Sequence, residues 1–141
     1  MDYINFPKKY SLRFVISAIL IGLPFFPLLI FDLLAEIYHH FSFPIYGLQK
    51  VKRSEYIAVK DRGRLKYLTW YQKLACMYCG YINGALPYFA EIASRTEKYW
   101  CGIMQPEKPG FKIQKYQIEQ DFSKFGDKED FDQKYIKKTL K

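Results

Sequence analysis

The longest apolar run of the chain predicts its first structural element. Phe14 to Phe31 is a stretch of 18 residues without a charge, which is just long enough for a helix that crosses the hydrocarbon core of a bilayer. Pro24 and Pro27 lie inside this run, and each removes a backbone donor and can kink or break a helix. The pattern therefore predicts either a kinked spanning helix or a re-entrant anchor that returns to the same side of the membrane.

The positions after this run predict a further helical segment, from Asp32 to Phe41. Apolar side chains recur at helical spacing on one side of it, and acidic and imidazole side chains lie on or near another. The two sets are Leu33, Leu34, Ile37 and Phe41, and Glu36, His39 and His40. Phe43-Pro44 and Gly47 are expected to end the helix. A signal peptide is the alternative for the apolar run, but no small-x-small cleavage site follows it, so we expect a retained anchor.

Residues 50–68 predict a short β-hairpin. Glu55 to Lys60 has the composition of a strand, Asp61-Arg62-Gly63 that of a turn, and Arg64 to Leu68 that of the partner strand. Lys50 to Lys66 contains seven Lys or Arg and two acidic residues. We expect these cations to contact anionic lipid head groups, at roughly 1 kcal/mol per cation, although a solvated hairpin face would have the same composition.

Residues 69–101 predict two helices joined by a turn. Thr69 and Gln72 have the spacing of a capping box, so a helix is expected from Trp70 to about Met77. Asn83-Gly84 is typical of a turn. After it, four apolar residues recur at the spacing of a core-facing stripe, which predicts a second helix over 85–98. These four residues are Leu86, Phe89, Ile92 and Ala93.

The last part of the chain is dense in charge. Residues 112–141 contain eight Lys and six acidic residues among scattered aromatics, which predicts a weakly structured extension. We therefore expect a membrane anchor and exit helix over 1–41, a small Cys/His domain over 42–105 and a charged C-terminal extension over 106–141. The expected fold class is mainly α, with a small α+β metal-bound domain after the anchor.

Three cysteines and two histidines are the candidate metal ligands. Cys76 and Cys79 are spaced so that both thiolates can chelate one ion, and the glycine that follows lets the backbone turn beneath the sulfurs. Cys101 is the third candidate, and His39 or His40 is the fourth. This set favours a structural Cys3His-type zinc site, with iron as the alternative. Small buried cysteines and interfacial histidines would leave the same pattern.

Two other chemistries fit some of these residues. Cys76 and Cys79 are also spaced for disulfide exchange, but a thioredoxin-like site needs a helix that starts at the first cysteine, and here a helix is expected before it. Glu36-x-x-His39 has the spacing used in di-iron carboxylate sites. Those sites use two such motifs and two further Glu, whereas this chain has one motif, with Glu91 and Glu97 as additional candidates.

Two resemblances bear on these residues. The six residues Cys76-Met77-Tyr78-Cys79-Gly80-Tyr81 resemble the first knuckle of rubredoxin, but rubredoxins have a second knuckle and here only Cys101 remains. Over about half its length the chain also resembles a set of small bacterial membrane proteins, which implies a membrane location but no particular activity. The matching segments are Tyr38-His39-His40, Lys52-Arg53-Ser54, Tyr67-Leu68-x-Trp70, Cys76-x-Tyr78-Cys79-Gly80-Tyr81-x-Asn83-Gly84 and Glu91-Ile92-Ala93-x-Arg95-Thr96-Glu97-x-Tyr99-Trp100-Cys101.

Composition narrows the class of partner. The formal net charge is +8, with 13 Tyr and 12 Phe, a combination that suits a membrane interface with anionic lipids. The chain has no RNP motif, helix-turn-helix spacing or paired zinc-finger spacing, so no nucleic-acid partner is expected. Three cysteines cannot form a complete disulfide framework within one chain, which favours a reducing compartment or metal binding.

These patterns predict a membrane-anchored accessory or scaffold protein in a larger membrane assembly, with protein partners in that complex. Lys8, Lys9 and Arg13 favour a cytoplasmic N-terminus, and we expect the Cys/His domain on the cytoplasmic side of a bacterial inner membrane. The alternative function is a thiol or iron redox protein that uses Cys76 and Cys79.

Overall fold

The computed structural model describes residues 12–136, and the chain divides into two compact units, Met1–Ser42 and Phe43–Lys141. The architecture is mainly helical, as expected. Its elements are α1 (Leu12–Gly22), α2 (Phe25–Tyr46), a 3-10 turn (Arg53–Glu55), α3 (Lys60–Gly63), α4 (Trp70–Trp100), α5 (Lys115–Glu119), α6 (Lys128–Phe131) and a π-helical turn (Asp132–Ile136). The cations Lys8 and Lys9 and the last residues of the charged extension, 137–141, lie outside the described part.

Helices α1 and α2 contain the predicted apolar anchor. They are separated by Leu23 and Pro24, because the ring of proline clashes with the preceding turn and its nitrogen has no proton to donate. The stretch Val15–Tyr46 is 32 residues long and apolar enough to cross a membrane, with a window of mean hydropathy 2.3 of which 6% is buried. It is the one such stretch in residues 12–136. Whether the anchor spans the membrane or re-enters stays a prediction.

The expected helix end at Phe43-Pro44 is wrong, because α2 continues through Pro44 to Tyr46. The actual end is a Schellman motif. Gly47 has a positive φ of 68°, its N–H donates to the Pro44 carbonyl at 3.2 Å, and the Leu48 N–H donates to the Phe43 carbonyl at 2.9 Å. Glycine adopts this left-handed conformation without steric cost. The predicted role of Gly47 as a helix stop is therefore confirmed.

The expected β-hairpin over 55–68 is wrong. Within residues 12–136 no strand forms, and Ile103 and Ser123 share an isolated parallel bridge. The N–H groups of Tyr56 and Ile57 instead donate to the Arg53 carbonyl at 3.1 and 3.0 Å, within one local turn. Tyr56 and Ile57, which suggested a strand, contact Tyr88 and Gly84 of the helix α4 and are half-buried there without a partner strand.

The two helices expected over 69–98 are one helix, α4, of 31 residues. Its start is as expected, because the capping box at Thr69 and Gln72 is present. The Thr69 N–H donates to Gln72 Oε1 at 3.0 Å. Pro87, which would fall in the first turn of the helix expected over 85–98, lies inside this longer helix.

The expected turn at Asn83-Gly84 is also wrong. Asn83 Nδ2 donates to the Cys79 carbonyl at 2.8 Å, one turn earlier in the same helix. Gly84 is buried, and a Cβ there would lie 2.5 Å from the carbonyl oxygen of Tyr56. Glycine at this position thus permits the close approach of another backbone segment and does not make a turn.

The core of the second unit is built on the C-terminal half of α4. Phe89 and Ile92 of the predicted apolar stripe are buried with Tyr88, whereas Leu86 is 53% exposed. Arg95 connects α4 to the loop that follows α2. Its Nε donates to Glu91 Oε1 at 2.7 Å, and its Nη1 donates to the backbone carbonyl of Gln49 at 2.9 Å.

The charged C-terminal segment is ordered against α4 and is not the weakly structured extension that its composition predicts. Tyr116 Oη donates to Glu97 Oε2 at 2.5 Å, and Gln117 Nε2 donates to Glu97 Oε1 at 3.1 Å. Lys98 Nζ donates to two backbone carbonyls of this segment. Phe122 is 2% exposed. Burial of Phe122 and the hydrogen bonds of these polar groups therefore offset the loss of conformational entropy on ordering the segment, although its dense charge predicted that it would stay weakly structured.

Candidate metal centre

The buried side of α2 is polar and its exposed side is apolar. Asp32 and His39 are 8% and 2% exposed, whereas Leu33 and Leu34 are 63% and 58% exposed. Residues four apart lie on one helical face, so Glu36 continues the line from Asp32. This distribution is the reverse of that in a helix on the surface of a soluble protein.

Three potential ligands converge on this polar side. Glu36, His39 and His40 each offer one ligand atom, and these atoms lie within 4.8 Å of one another. At positions i, i+3 and i+4 they share a narrow arc of one helical face, because successive residues are separated by about 100°. Zinc binds nitrogen and oxygen at about 2.0–2.2 Å, so two ligands on one ion lie roughly 3–3.5 Å apart. The three atoms therefore have to approach one another by roughly 1–2 Å to bind one ion.

The hydrogen bonds of His40 favour one ring nitrogen as a ligand. Its Nδ1 lies 3.1 Å from the Glu36 backbone carbonyl and 3.2 Å from Glu36 Oε2. In the neutral ring an Nδ1 proton donates to the Glu36 backbone carbonyl, which leaves the lone pair of Nε2 available, and the Glu36 carboxylate has to turn from Nδ1 towards the ion to bind the same metal. Metal-binding histidines commonly donate their second nitrogen in this way. The His39 ring is 5.8 Å from the His40 ring and nearly perpendicular to it.

Two imidazoles and one carboxylate form a known class of ligand set. With three protein ligands, such a set leaves coordination positions open, and it suits zinc or ferrous iron. The three residues also differ in exposure: His39 is buried, Glu36 is half-buried and His40 is exposed. The arrangement can therefore hold an ion from one side while a further ligand approaches from the other.

The cysteines are not placed as the two expected helices, Trp70 to about Met77 and 85–98, would place them. Cys76 and Cys79 lie inside α4, so the backbone makes no turn beneath their sulfurs, and Cys101 directly follows the same helix. At 1.5 Å per residue, the 22 residues from Cys79 to Cys101 correspond to about 33 Å. The structure therefore brings Cys76 and Cys79 together, but it does not bring Cys101 to them.

The helical backbone also bears on disulfide exchange between Cys76 and Cys79. Both thiols are free in the structure. Residues three apart in a helix have Cβ atoms about 5–6 Å apart, whereas a disulfide needs about 3.5–4.5 Å. Two sulfurs on one zinc ion need only be roughly 3.8 Å apart, given a Zn–S length of about 2.3 Å. Chelation therefore suits this backbone better than an internal disulfide does.

Glu36 is the ligand candidate that the predicted zinc set leaves out. The spacing of Glu36 and His39 matches one half of a di-iron motif. Cysteine thiolates are more specific indicators of zinc in a sequence, so the predicted zinc ligands were the cysteines and a histidine. The i, i+3, i+4 pattern of Glu36, His39 and His40 on a continuous helix was the signal available. The proposed pairing of a histidine with the cysteines joins residues of two units and stays a prediction.

No family model matches this sequence, and comparisons with curated proteins and with solved structures likewise found no match. The functional interpretation therefore rests on the chemistry and geometry of the residues themselves.

Proposed function

We propose that this protein is a membrane-anchored accessory component of a larger membrane assembly, and that its anchor helix binds one divalent metal ion, zinc or alternatively iron, through Glu36, His39 and His40. The observation that carries the proposal is the inverted pattern of α2, in which Asp32 and His39 are buried beside the half-buried Glu36 and the exposed His40, while its leucines and isoleucines face outward.

The exposed apolar side of the anchor supports a lipid environment. Its side chains are 40–79% exposed along almost the whole stretch, and in water such a surface would be an aggregation liability. The members of this surface include Ile19, Leu20, Leu23, Phe26, Ile30, Leu33, Leu34, Ile37, Phe41 and Ile45. In a bilayer, lipid chains or the helices of a partner protein cover it, which is the role we assign to the larger assembly.

Ionisable groups on an otherwise apolar helix support the metal centre. Asp, Glu and His are costly near a membrane and are retained where they pair, bind an ion or line a polar path. The ligand atoms of Glu36, His39 and His40 lie within 4.8 Å of one another, so one ion can draw them together. A bound ion neutralises the carboxylate and fixes both imidazoles, which lowers the cost of keeping all three on the anchor.

The metal centre can be tested with the double variant Cys76→Ser/Cys79→Ser, which removes thiolate ligands from the helix α4. We expect one zinc ion per chain with nitrogen and oxygen ligands, measured by elemental analysis and X-ray absorption of the full chain in detergent. Glu36→Gln and His39→Ala should each raise the zinc Kd by at least about tenfold. Metal-free protein, or two irons per chain, would overturn this assignment.

The matched control is Glu55→Gln. Glu55 is an exposed acid whose side chain lies 3.5 Å from Lys52, and it is remote in sequence from the ligand set. Its substitution should leave the zinc Kd unchanged. An equal loss of affinity in Glu55→Gln and Glu36→Gln would show that general surface charge, and not coordination by Glu36, attracts the ion.

The basic segment supports contact with anionic head groups. Five of its cations are exposed: Lys50, Lys52, Lys60, Arg64 and Lys66. They adjoin Tyr67 and Trp70, which are 79% and 78% exposed, and large amphipathic rings beside cations are typical of membrane interfaces. We place this surface at the cytoplasmic face of a bacterial inner membrane.

The native thiols offer a test of that orientation. Cys79 and Cys101 are exposed, so a membrane-impermeant maleimide can reach them wherever they meet solvent. If the second unit is cytoplasmic, intact cells should remain unlabelled and inverted membrane vesicles should label. Labelling of intact cells would reverse the orientation.

A further inference from the structure

Cys76 and Cys79 form half of a complete zinc ligand set. Structural zinc sites use four ligands in a tetrahedron, and four thiolates are a common set. Within residues 43–136, no further Cys, His, Asp or Glu lies close enough to make a three-ligand group with this pair. The pair is therefore chelating but incomplete within the second unit.

The face of α4 that carries the pair has the repeat of a two-helix seam. Seven positions alternate at spacings of four and three over three heptads, the average of 3.5 that keeps two coiled helices in contact. These positions are Gln72, Cys76, Cys79, Asn83, Leu86, Ala90 and Ala93. They lie on the side opposite the buried Tyr88 and Ile92, and all are exposed or half-buried. We refer to these seven positions as the α4 seam.

The composition of the seam suits a second copy of the same helix. Ala90 and Ala93 are small enough for close approach of two backbones, and Leu86, at 53% exposure, supplies apolar area. Asn83 is a polar residue at a seam position, the device that sets register in paired helices. In a parallel, in-register pair Asn83 faces its own copy, and both Cys76–Cys79 pairs lie at the same level.

The charge around the pair is complementary to a four-thiolate centre. Four thiolates on a divalent ion leave a net charge of −2, which nearby carboxylates would oppose. Between Trp70 and Ala90, helix α4 has no acidic residue and one cation, Lys73. The half of α4 that carries the cysteines therefore favours such a centre electrostatically.

We propose that two copies of the chain pair in parallel along the α4 seam and bind one zinc ion between them, with Cys76 and Cys79 of both copies as the four ligands. Four thiols lose four protons as the ion binds, and no electron is transferred. The second copy supplies the two missing ligands, because Cys101 lies at the far end of the same helix and does not reach the ion. This inference is independent of the Glu36 centre.

Cobalt titration of the reduced full chain in detergent tests the proposal. In the Glu36→Gln variant, whose α2 centre is weakened, a thiolate-to-cobalt charge-transfer band should grow and saturate at one ion per two chains, and zinc should displace the cobalt. Cys76→Ser/Cys79→Ser should abolish the band, whereas Cys101→Ser and Glu36→Gln should retain it. Saturation at one ion per chain, absence of the band, or its persistence in the double variant would overturn the proposal. Because Glu36 and the histidines give no thiolate band, failure here is distinguishable from failure of the α2 centre.

The seam itself can be tested away from the ligands. Leu86→Glu places a like charge on both copies at the seam, so it should raise the cobalt Kd at least about tenfold and shift the chain towards monomer in analytical ultracentrifugation. Leu74→Glu is the matched control, because Leu74 is 62% exposed on the same helix but lies off the seam. Equal behaviour of the two variants would contradict the assigned interface.

Discussion

Helices α2 and α4 are the two long helices of the described chain, and they distribute polarity in opposite ways. In α2 the buried positions include Asp32 and His39 while Leu33 and Leu34 are exposed. In α4 the buried positions include Tyr88 and Ile92, and the ion pair of Glu91 with Arg95 lies near the surface. At these positions helix α2 therefore buries polar side chains and exposes apolar ones, whereas α4 buries apolar side chains and keeps polar ones near the surface.

The difference indicates that the two helices are built for different solvents. Apolar burial stabilises a helix in water because it removes apolar surface from water. In lipid that driving force is absent and polar groups are the ones that seek cover. The pattern of α2 is thus the one that our proposed lipid environment favours, whereas the pattern of α4 is the one that water favours.

The largest expected effect comes from a charge on the exposed side of the anchor. Ile19 is 62% exposed within the apolar run. In a bilayer, Ile19→Arg should cost roughly 3 kcal/mol of insertion free energy, about a hundredfold in the insertion equilibrium. Carbonate-resistant membrane association, measured by fractionation, should fall accordingly.

Ile118→Arg is the control for this variant. Ile118 is 64% exposed in α5, so the same substitution at equal exposure should leave the membrane-bound fraction unchanged. If Ile19→Arg and Ile118→Arg partition alike, the anchor does not face lipid and the contrast between the helices is lost.

A smaller effect is expected from filling the close approach on α4. In Gly84→Ala, the new Cβ would lie 2.5 Å from the Tyr56 carbonyl oxygen, so overpacking should outweigh the gain in helix propensity. We expect a loss of about 1–2 kcal/mol in the free energy of unfolding, measured by denaturant titration in detergent. Gly22→Ala, where nothing lies within 4 Å of the added Cβ, should show no such loss.

The hydrogen bond between Tyr116 and Glu97 should contribute about 1 kcal/mol to docking of the C-terminal segment. Burial, together with the hydrogen bond to Glu97, raises the pKa of Tyr116 from 10.0 to about 12. The folded state therefore holds this proton more tightly, so the stabilisation is complete below pH 10 and is lost as the pH rises through about 12. Thermal unfolding should show this alkaline step, and Tyr116→Phe should weaken docking and remove it.

The smallest effect is expected at the surface cluster around Lys134. Its Nζ lies 2.8 Å from Asp121 Oδ1 and 3.1 Å from Asp130 Oδ1. A hydrogen bond from Lys134 lowers the pKa of Asp121, and a backbone N–H from Lys124 lowers that of Asp130. The stabilisation is therefore present above the ordinary carboxyl pKa of 3.8 and is lost as the pH falls below it.

Hydrogen exchange of residues 121–135 after equilibration between pH 3 and pH 6 would detect this effect. Lys134→Gln should reduce the pH dependence there and leave the exchange of α4 unaltered. Protection that is insensitive to acid in the native chain would contradict the assignment.

The sequence predicts the structure well where a feature depends only on residues that are close to one another in the chain. The uninterrupted apolar run from Phe14 to Phe31 predicts the anchor, and the break at Pro24 follows from the missing backbone donor. The capping box at Thr69 and Gln72 and the left-handed stop at Gly47 depend on neighbours within a few residues. Such features need no knowledge of the rest of the fold.

The candidate sites illustrate the limit of spacing arguments. Cys76 and Cys79 were recognisable because chelation acts over one helical turn, and the cluster of Glu36 with His39 and His40 has the same local character. The position of Cys101 depended on whether α4 continued through Asn83-Gly84. The helix does continue there, and Gly84 is used instead for the approach of Tyr56, a contact between residues far apart in sequence.

By itself the sequence determined the apolar N-terminal helical run, the polar positions along it and the start of α4. Tertiary structure alone decided that residues 55–68 form turns without strands, that α4 is unbroken, and that the charged segment after Gly102 is ordered against it. The physical reason is that intrinsic preferences amount to at most about 1 kcal/mol per residue, whereas burial of one aromatic or aliphatic side chain contributes about 1.5–3 kcal/mol. Contacts between distant residues therefore override local preference wherever the two disagree.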